Sequence, residues 1–351
     1  MGRVVLVTGV AREFASRFAR ALIAEPDVDR VVGVDVQPPR GDMSGVQFVR
    51  ADIRNPVIAK VIAKEQVDTV VHMSVVATSA GAGGRGSVKE LNVIGTMQLL
   101  AACQRAPSVE HLVVKSSTTV YGASSRDPAM FTEEMAPKKL PRSGFAKDAY
   151  EVEGYVRGFA RRREDVTVTM LRAANTIGPR VDSPMAQYFR LPMIPTVLGF
   201  DARMQFLHET DMLAVLRHAT LARVHGTFNV AGEGVLMLSQ AVRRLGRPAL
   251  PMPGFTLGTV GSLMRQAGLP GLAAEQLDFL TFGRGVDTRR SREVLGFSPA
   301  YSTAAAFEDF CRSQTRGLVA PSRIVVDGLT ATAGRGASPA PIATPSGDSR
   351  G

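Results

Sequence analysis

Thr8-Gly9 is the first place in the chain where residue types and spacing could do chemistry. A short valine-rich run, RVVLV at 3–7, leads into it, and Val10-Ala11-Arg12-Glu13-Phe14-Ala15 opens an amphipathic stretch after it. Such a turn lets backbone approach a pyrophosphate, and the N-terminus of the following helix offers N–H donors and a partial positive charge. The slots three and six residues after Gly9, glycine in many such turns, hold Arg12 and Ala15. Alanine still permits close helix-to-strand packing, whereas Arg12 brings a Cβ and a long cation that would either pair with the pyrophosphate or occlude it. Asp35, 26 residues after Gly9, ends a second valine-rich run. A carboxylate there accepts hydrogen bonds from an adenosine ribose and repels a 2′-phosphate, which favours NAD over NADP. Asp52-Ile53 could hold an adenine by its amino group and cover its face.

These residues need a scaffold that gathers strand ends. RVVLV at 3–7, RVVGV at 30–34, VDTVV at 67–71 and EHLVV at 110–114 read as buried parallel strands, with a shorter one at 46–50 and another at 166–172. Between them, 12–24, 56–65, 88–105 and 145–163 carry apolar residues at helical spacing. That alternation predicts an α/β fold with a Rossmann-like, doubly wound parallel sheet. After 171 the alternation weakens and Pro179, Pro184, Pro192 and Pro195 break the chain up, which suits a smaller C-terminal substrate lobe. The expected organisation is a dinucleotide-binding domain at 1–170, a substrate lobe at 171–328 partly interleaved with the sheet, and a disordered tail at 329–351, rich in Ala, Gly, Pro, Ser and Thr.

With 45% hydrophobic and 21% charged residues and no apolar run of ~18–20 residues, the chain reads as soluble, without a membrane span, and cytoplasmic. Cys103 and Cys311 support neither a disulfide framework nor a metal site, and the five histidines show no ligand spacing. The net charge of +10 comes mostly from scattered arginines, without the aromatic interleaving of a base-stacking surface, so nucleic acid is not the expected partner.

VVLVTG at 4–9, VDV at 34–36, ADIRNP at 51–56, VVHMS at 70–74, NVIGT at 92–96, SSTTVYG at 116–122, LRAANTIGP at 171–179, QFLHETD at 205–211, GTFNVAGEG at 226–234 and DTRRSREVLGFSP at 287–299 occur in one order. In these segments the chain resembles the extended short-chain dehydrogenase/reductases, the NAD-dependent epimerase/dehydratase family, and within it a UDP-glucose 4-epimerase-like actinobacterial subgroup. The resemblance implies NAD as cofactor, contacted by Gly9, Arg12, Phe14, Asp35, Asp52, Ile53, Met73, Ser74 and Asn92. It implies a sugar nucleotide or related small-molecule substrate touched by Thr118 and Asn175, and a catalytic hydroxyl at Ser117. It also implies a homodimer through the helices at about 88–105 and 145–163, covering Leu91, Tyr155, Val156 and Phe159.

The family's Tyr-x-x-x-Lys pair is missing. With Glu153 aligned to the glutamate eight residues after that tyrosine, Phe145 stands in the tyrosine slot and Ala149 in the lysine slot. Tyr150 is the nearest tyrosine and the candidate to act with Ser117, although it lies ~100° around a helix from Ala149. Lys115 shares a strand face with Ser117 and could replace the base, but a core-edge lysine that snorkels outward is the preferred reading. Met204 falls where many sugar-nucleotide enzymes place a phosphate-binding arginine, and His208 matches a histidine that stabilises the second lobe. Whether the chain is an enzyme stays open: the alternative is a catalytically inactive member serving as a dinucleotide sensor or scaffold.

Overall fold

Valine-rich runs with buried residues on both faces can be satisfied only between two helical layers, and the chain builds that arrangement. The computed structural model describes residues 2–77, 85–254 and 274–317. The expected tail and much of the apolar stretch before 274 lie outside the described residues. Strands β1 (Arg3–Thr8), β2 (Val28–Asp35), β3 (Val46–Arg50), β4 (Thr69–His72), β5 (His111–Ser117) and β6 (Thr167–Ala173) follow the expected runs to within a few residues. Four short strands come next, β7 (Asn175–Ile177), β8 (Ile194–Val197), β9 (Arg203–Met204) and β10 (Phe206–His208), and then β11 (Gly226–Val230).

The central sheet has seven strands in the order β11-β6-β5-β4-β1-β2-β3, every pair parallel. The chain winds outward from β1 to β3, then crosses to β4 on the other side of β1. The reversal opens a crevice at the carboxyl ends of β1 and β4, where open α/β sheets bind ligands. Strand alternation sends Val5 and Val7 to one apolar cluster and Leu6 to the other, so each face of the sheet has its own core. Helices α1 (Glu13–Ile23), α2 (Val57–Glu65), α3 (Arg85–Lys89), α4 (Gly95–Arg105) and α5 (Gly144–Arg162) supply the covering layers. A third apolar cluster, stacked on Phe189, Phe206, Phe307 and Phe310, forms the second lobe. Although β11 comes late in the chain, it returns to the central sheet beside β6.

One irregularity bears on the site. A π-helical turn, Glu90–Ile94, joins α3 to α4, and inserted turns of this kind are frequent at functional sites. It carries the buried Asn92, whose amide accepts from Val76 N at 2.9 Å and donates to Val76 O at 3.0 Å and Asp148 Oδ2 at 3.1 Å. The segment after β4 is thereby held beside the crevice.

Much of the basic charge is structural. The Arg163 guanidinium, just past α5, donates to the carbonyls of Cys103, Ala106 and Val109. The histidines are structural as well. His72 sits between the hydroxyls of Thr8 and Thr96 at 3.0 and 2.8 Å, and burial lowers its pKa to about 4, so it stays neutral. His208 caps the helix Glu209–Ala222 and stacks on Tyr301 with centroids 3.9 Å apart.

Candidate active site

A cleft of about 1560 Å³ runs along the carboxyl ends of β1, β2, β4 and β5 and on between the sheet and the second lobe. Gly9 closes the turn after β1 with a φ of +83°, a region that favours glycine. A Cβ added there would lie 3.1 Å from Ser74 Oγ, so glycine lets the ends of β1 and β4 approach. Arg12 is the extended residue that starts α1. Burial lowers its guanidinium pKa while Asp35 pulls the other way. Asp35 ties the end of β2 to this turn, accepting from Ala11 N at 3.0 Å through Oδ2 and from Val36 N at 2.7 Å through Oδ1.

Gly9, Arg12, Phe14, Asp35, Asp52, Ile53, Met73 and Ser74 all line the cleft. Asp52 is already engaged. Arg54 clamps its carboxylate through contacts of 2.7–3.0 Å, and those hydrogen bonds lower its pKa. Asn92 does not line the cleft, because its amide is consumed behind the wall in holding Val76.

On the catalytic side, β5 presents Lys115, Ser116 and Ser117 to the cleft. The Ser116 hydroxyl is spent on Glu153 Oε1 at 2.7 Å. Ser117 Oγ accepts from Thr119 N at 3.2 Å, which starts a single 3-10 turn, Thr118–Tyr121, and leaves its own hydrogen free to donate. That turn rotates Thr118 away from the cleft into a buried position and brings Thr119 to it, with the buried Thr119 Oγ1 making no hydrogen bond.

Phe145 lines the cleft, but Ala149 is buried in the core beneath it. Tyr150 packs against that same core and does not line the cleft, as its offset around the helix requires. Lys115 is half-buried and lines the cleft, where desolvation, then the nearby Arg12 cation, lower its pKa to about 8.

From the second lobe, Asn175 reaches the cleft, whereas Met204 is buried core. Two cations that sequence reasoning missed, Arg180 and Arg284, also line the cleft. Arg284 lies over the Phe279 ring at 5.0 Å and donates to the Gly122 carbonyl. The only sequence signal for it was a charged residue between two glycines in FGRGVD at 282–287. Cationic side chains outnumber acidic ones among the described lining residues, which suits a phosphate-bearing ligand. Among the described residues no cluster of His, Cys, Asp and Glu could hold a metal ion, and no helix is long and apolar enough to cross a membrane.

This sheet order, with a glycine turn at the switch point and a serine at the end of β5, defines a dinucleotide-binding short-chain dehydrogenase/reductase fold. The model of the NAD dependent epimerase/dehydratase family matches residues 5–231, and the chain belongs to that family. An uncharacterized protein of Mycobacterium tuberculosis (strain ATCC 25618 / H37Rv) is 47% identical over 320 residues, covering 90% of this chain and 85% of its own length. The fold is shared with UDP-glucose 4-epimerase from Thermotoga maritima, solved with UDP-glucose, at TM-score 0.67 and 17% identity over 90% of this chain and 99% of the other. UDP-glucuronic acid 4-epimerase from Bacillus cereus, in complex with UDP-glucuronic acid and NAD, matches at TM-score 0.67 and 18% identity over 89% and 99%. NAD is the family's cofactor, and the cleft fits it: the backbone is tight at Gly9, a carboxylate ends β2, and half-buried Arg12 lines the cleft with no hydrogen bond or ion pair among the described residues.

Proposed function

We propose that the protein binds NAD and acts on a sugar nucleotide, or a related hydroxyl- or carbonyl-bearing substrate, through a non-standard catalytic site. The observation that carries this is one continuous cleft joining the Gly9 turn and Asp35 to Ser117, Thr119 and Asn175. In this reading the start of α1 and Arg12 hold the pyrophosphate, Asp35 the adenosine ribose, and Arg180 and Arg284 the diphosphate of the substrate. Bound NAD supplies a hydride acceptor; the chain's own part is to position the substrate hydroxyl at Ser117 and to manage its proton. A second reading, a dinucleotide sensor without turnover, is favoured by the apolar pair Phe145 and Ala149.

Calorimetric titration of purified protein with NAD, NADH, NADP and NADPH tests both readings at once. NAD is expected to bind more tightly than NADP, and no binding of any of the four would overturn them together. Asp35→Asn keeps an acceptor for Ala11 N but removes the charge, so it is expected to narrow the NAD to NADP ratio by about tenfold, worth ~1.4 kcal/mol. An unchanged ratio would place the ribose elsewhere.

The assembly we propose is a homodimer through α4 and α5. Val156 and Phe159, expected at that interface, are instead core of a single chain. The exposed large apolar residues on these helices and the π-helical turn before α4 are Ile94, Met97 and Tyr155, and Gly154 leaves open space beside Tyr155 for close helix approach. Light scattering is expected to give twice the chain mass at micromolar concentration, and Met97→Glu to give the monomer. A monomeric wild type would rule the dimer out.

A further inference from the structure

We propose that Lys115 is the proton acceptor of this cleft, standing in for the tyrosine whose slot Phe145 fills. The proposal rests on the reading that the cleft binds NAD and a hydroxyl-bearing substrate. Lys115 lies two residues before Ser117 on β5, so both project to the same face, and both line the cleft. Lys115 is half-buried, and among the described residues its amine makes no hydrogen bond and no ion pair that would hold its proton. The charged group facing it is Arg12, and the other cleft-lining residues of β5, β6 and α5, namely Ser116, Ser117, Ala173, Phe145 and Ala146, carry no charge.

No carboxylate therefore holds the proton on Lys115, and two effects push it off. Desolvation and the Arg12 cation bring the amine to about 8, the range a general base near neutral pH requires. The proton balance is simple. Neutral Lys115 Nζ takes the proton of the substrate hydroxyl and becomes an ammonium, while the Ser117 hydroxyl donates to the same substrate oxygen. The carbon gives up one hydride, with its electron pair, to NAD as oxidant, and becomes a carbonyl. The reverse step returns the proton from Lys115.

A lysine that merely paired with a cofactor phosphate would behave differently. Its pKa would rise on NAD binding, and arginine would replace it. Trace acylation of the full chain with limiting acetic anhydride over a pH series, read by peptide mass spectrometry with and without NAD, separates the two roles. Lys115 is expected to label with a midpoint near 8, unmoved or lowered by NAD, against the ~10.4 of an ordinary lysine. A midpoint in the ordinary range, or one raised by NAD, overturns the proposal.

The second arm follows nicotinamide reduction by the NAD-loaded protein with UDP-glucose and UDP-glucuronic acid as probes. The wild-type rate is expected to climb as pH rises through about 8. Lys115→Met and Lys115→Arg should both lose about 10²-fold or more and that pH dependence, because arginine keeps the charge but cannot release a proton. Rescue by Lys115→Arg, an unaffected Lys115→Met, or no reduction by wild type with either probe counts against Lys115 as the base. Failure of wild type to bind NAD at all would instead overturn the reading beneath it.

Discussion

Replacing Arg172 by methionine is expected to destabilise the protein by about 3 kcal/mol, the low end of the ~3–5 kcal/mol typical when one member of a buried ion pair is removed. Arg172, on β6, meets the carboxylate of Glu153 on α5 through Nε at 2.9 Å and a terminal nitrogen at 2.6 Å, with Glu153 only 1% exposed. It also donates to the Tyr121 hydroxyl at 2.7 Å, which reaches Asn229 at 2.8 Å. Burial works against the guanidinium charge, but the hydrogen bonds and charge of Glu153 prevail and hold its pKa above the ordinary range. Methionine fills similar space and leaves Glu153 with Ser116 and Arg157 alone. Arg157, at 3.1 Å and nearly half exposed, moderates the loss. Urea unfolding should show a lower midpoint at unchanged slope. The double substitution with Glu153→Met should recover much of the loss, since a buried pair is worth little against an apolar replacement. A single variant within about 1 kcal/mol of wild type would show that the network is not strongly coupled.

The second large effect is expected at Ser117. Its Oγ accepts one backbone hydrogen bond, so Ser117→Ala removes a cap worth ~1 kcal/mol of stability. In the proposed reading the same change removes a hydroxyl donor to the substrate oxygen, a loss typically worth ~10²–10³-fold in rate. Thermal melts and initial rates of nicotinamide reduction, with NAD-loaded protein and UDP-glucose as the probe, should therefore diverge: nearly normal folding with turnover down by about two orders of magnitude. Ser117→Thr keeps the hydroxyl and should retain most of the rate. If Ser117→Ala turned over like wild type, the chemistry would lie away from the end of β5.

Both substitutions act through β5 and its neighbours, and they mark how far the sequence could be read. Ser117 was legible because it stands in a run, SSTTVYG, whose order among the other segments identifies the end of a strand. The Glu153–Arg172 pair was not, since its members are 19 residues apart on a helix and a strand whose facing depends on packing. Thr118, expected to touch substrate, is buried, and its neighbour Thr119 lines the cleft. A single 3-10 turn advances side chains by ~120° per residue, and nothing in STT distinguishes its start from the last residue of a strand.

The one-dimensional pattern determined the sheet. Continuous valine-rich runs alternating with helical spacing leave a parallel, doubly wound arrangement as the way to bury both strand faces, so the strand ends that carry Gly9, Asp35 and Ser117 came with it. Periodicity also assigns a residue to a face of its own element, which is how Lys115 and Ser117 were paired and Tyr150 was set off from Ala149. Only the tertiary structure decided what each face meets: the core surface for Tyr150, core for Val156 and Phe159, and a cleft shared with Arg12 for Lys115. Burial and charge environment depend on elements far apart in the chain, here α1 bringing Arg12 toward β5, and it is those distant neighbours, not the residue type, that lower the Lys115 pKa.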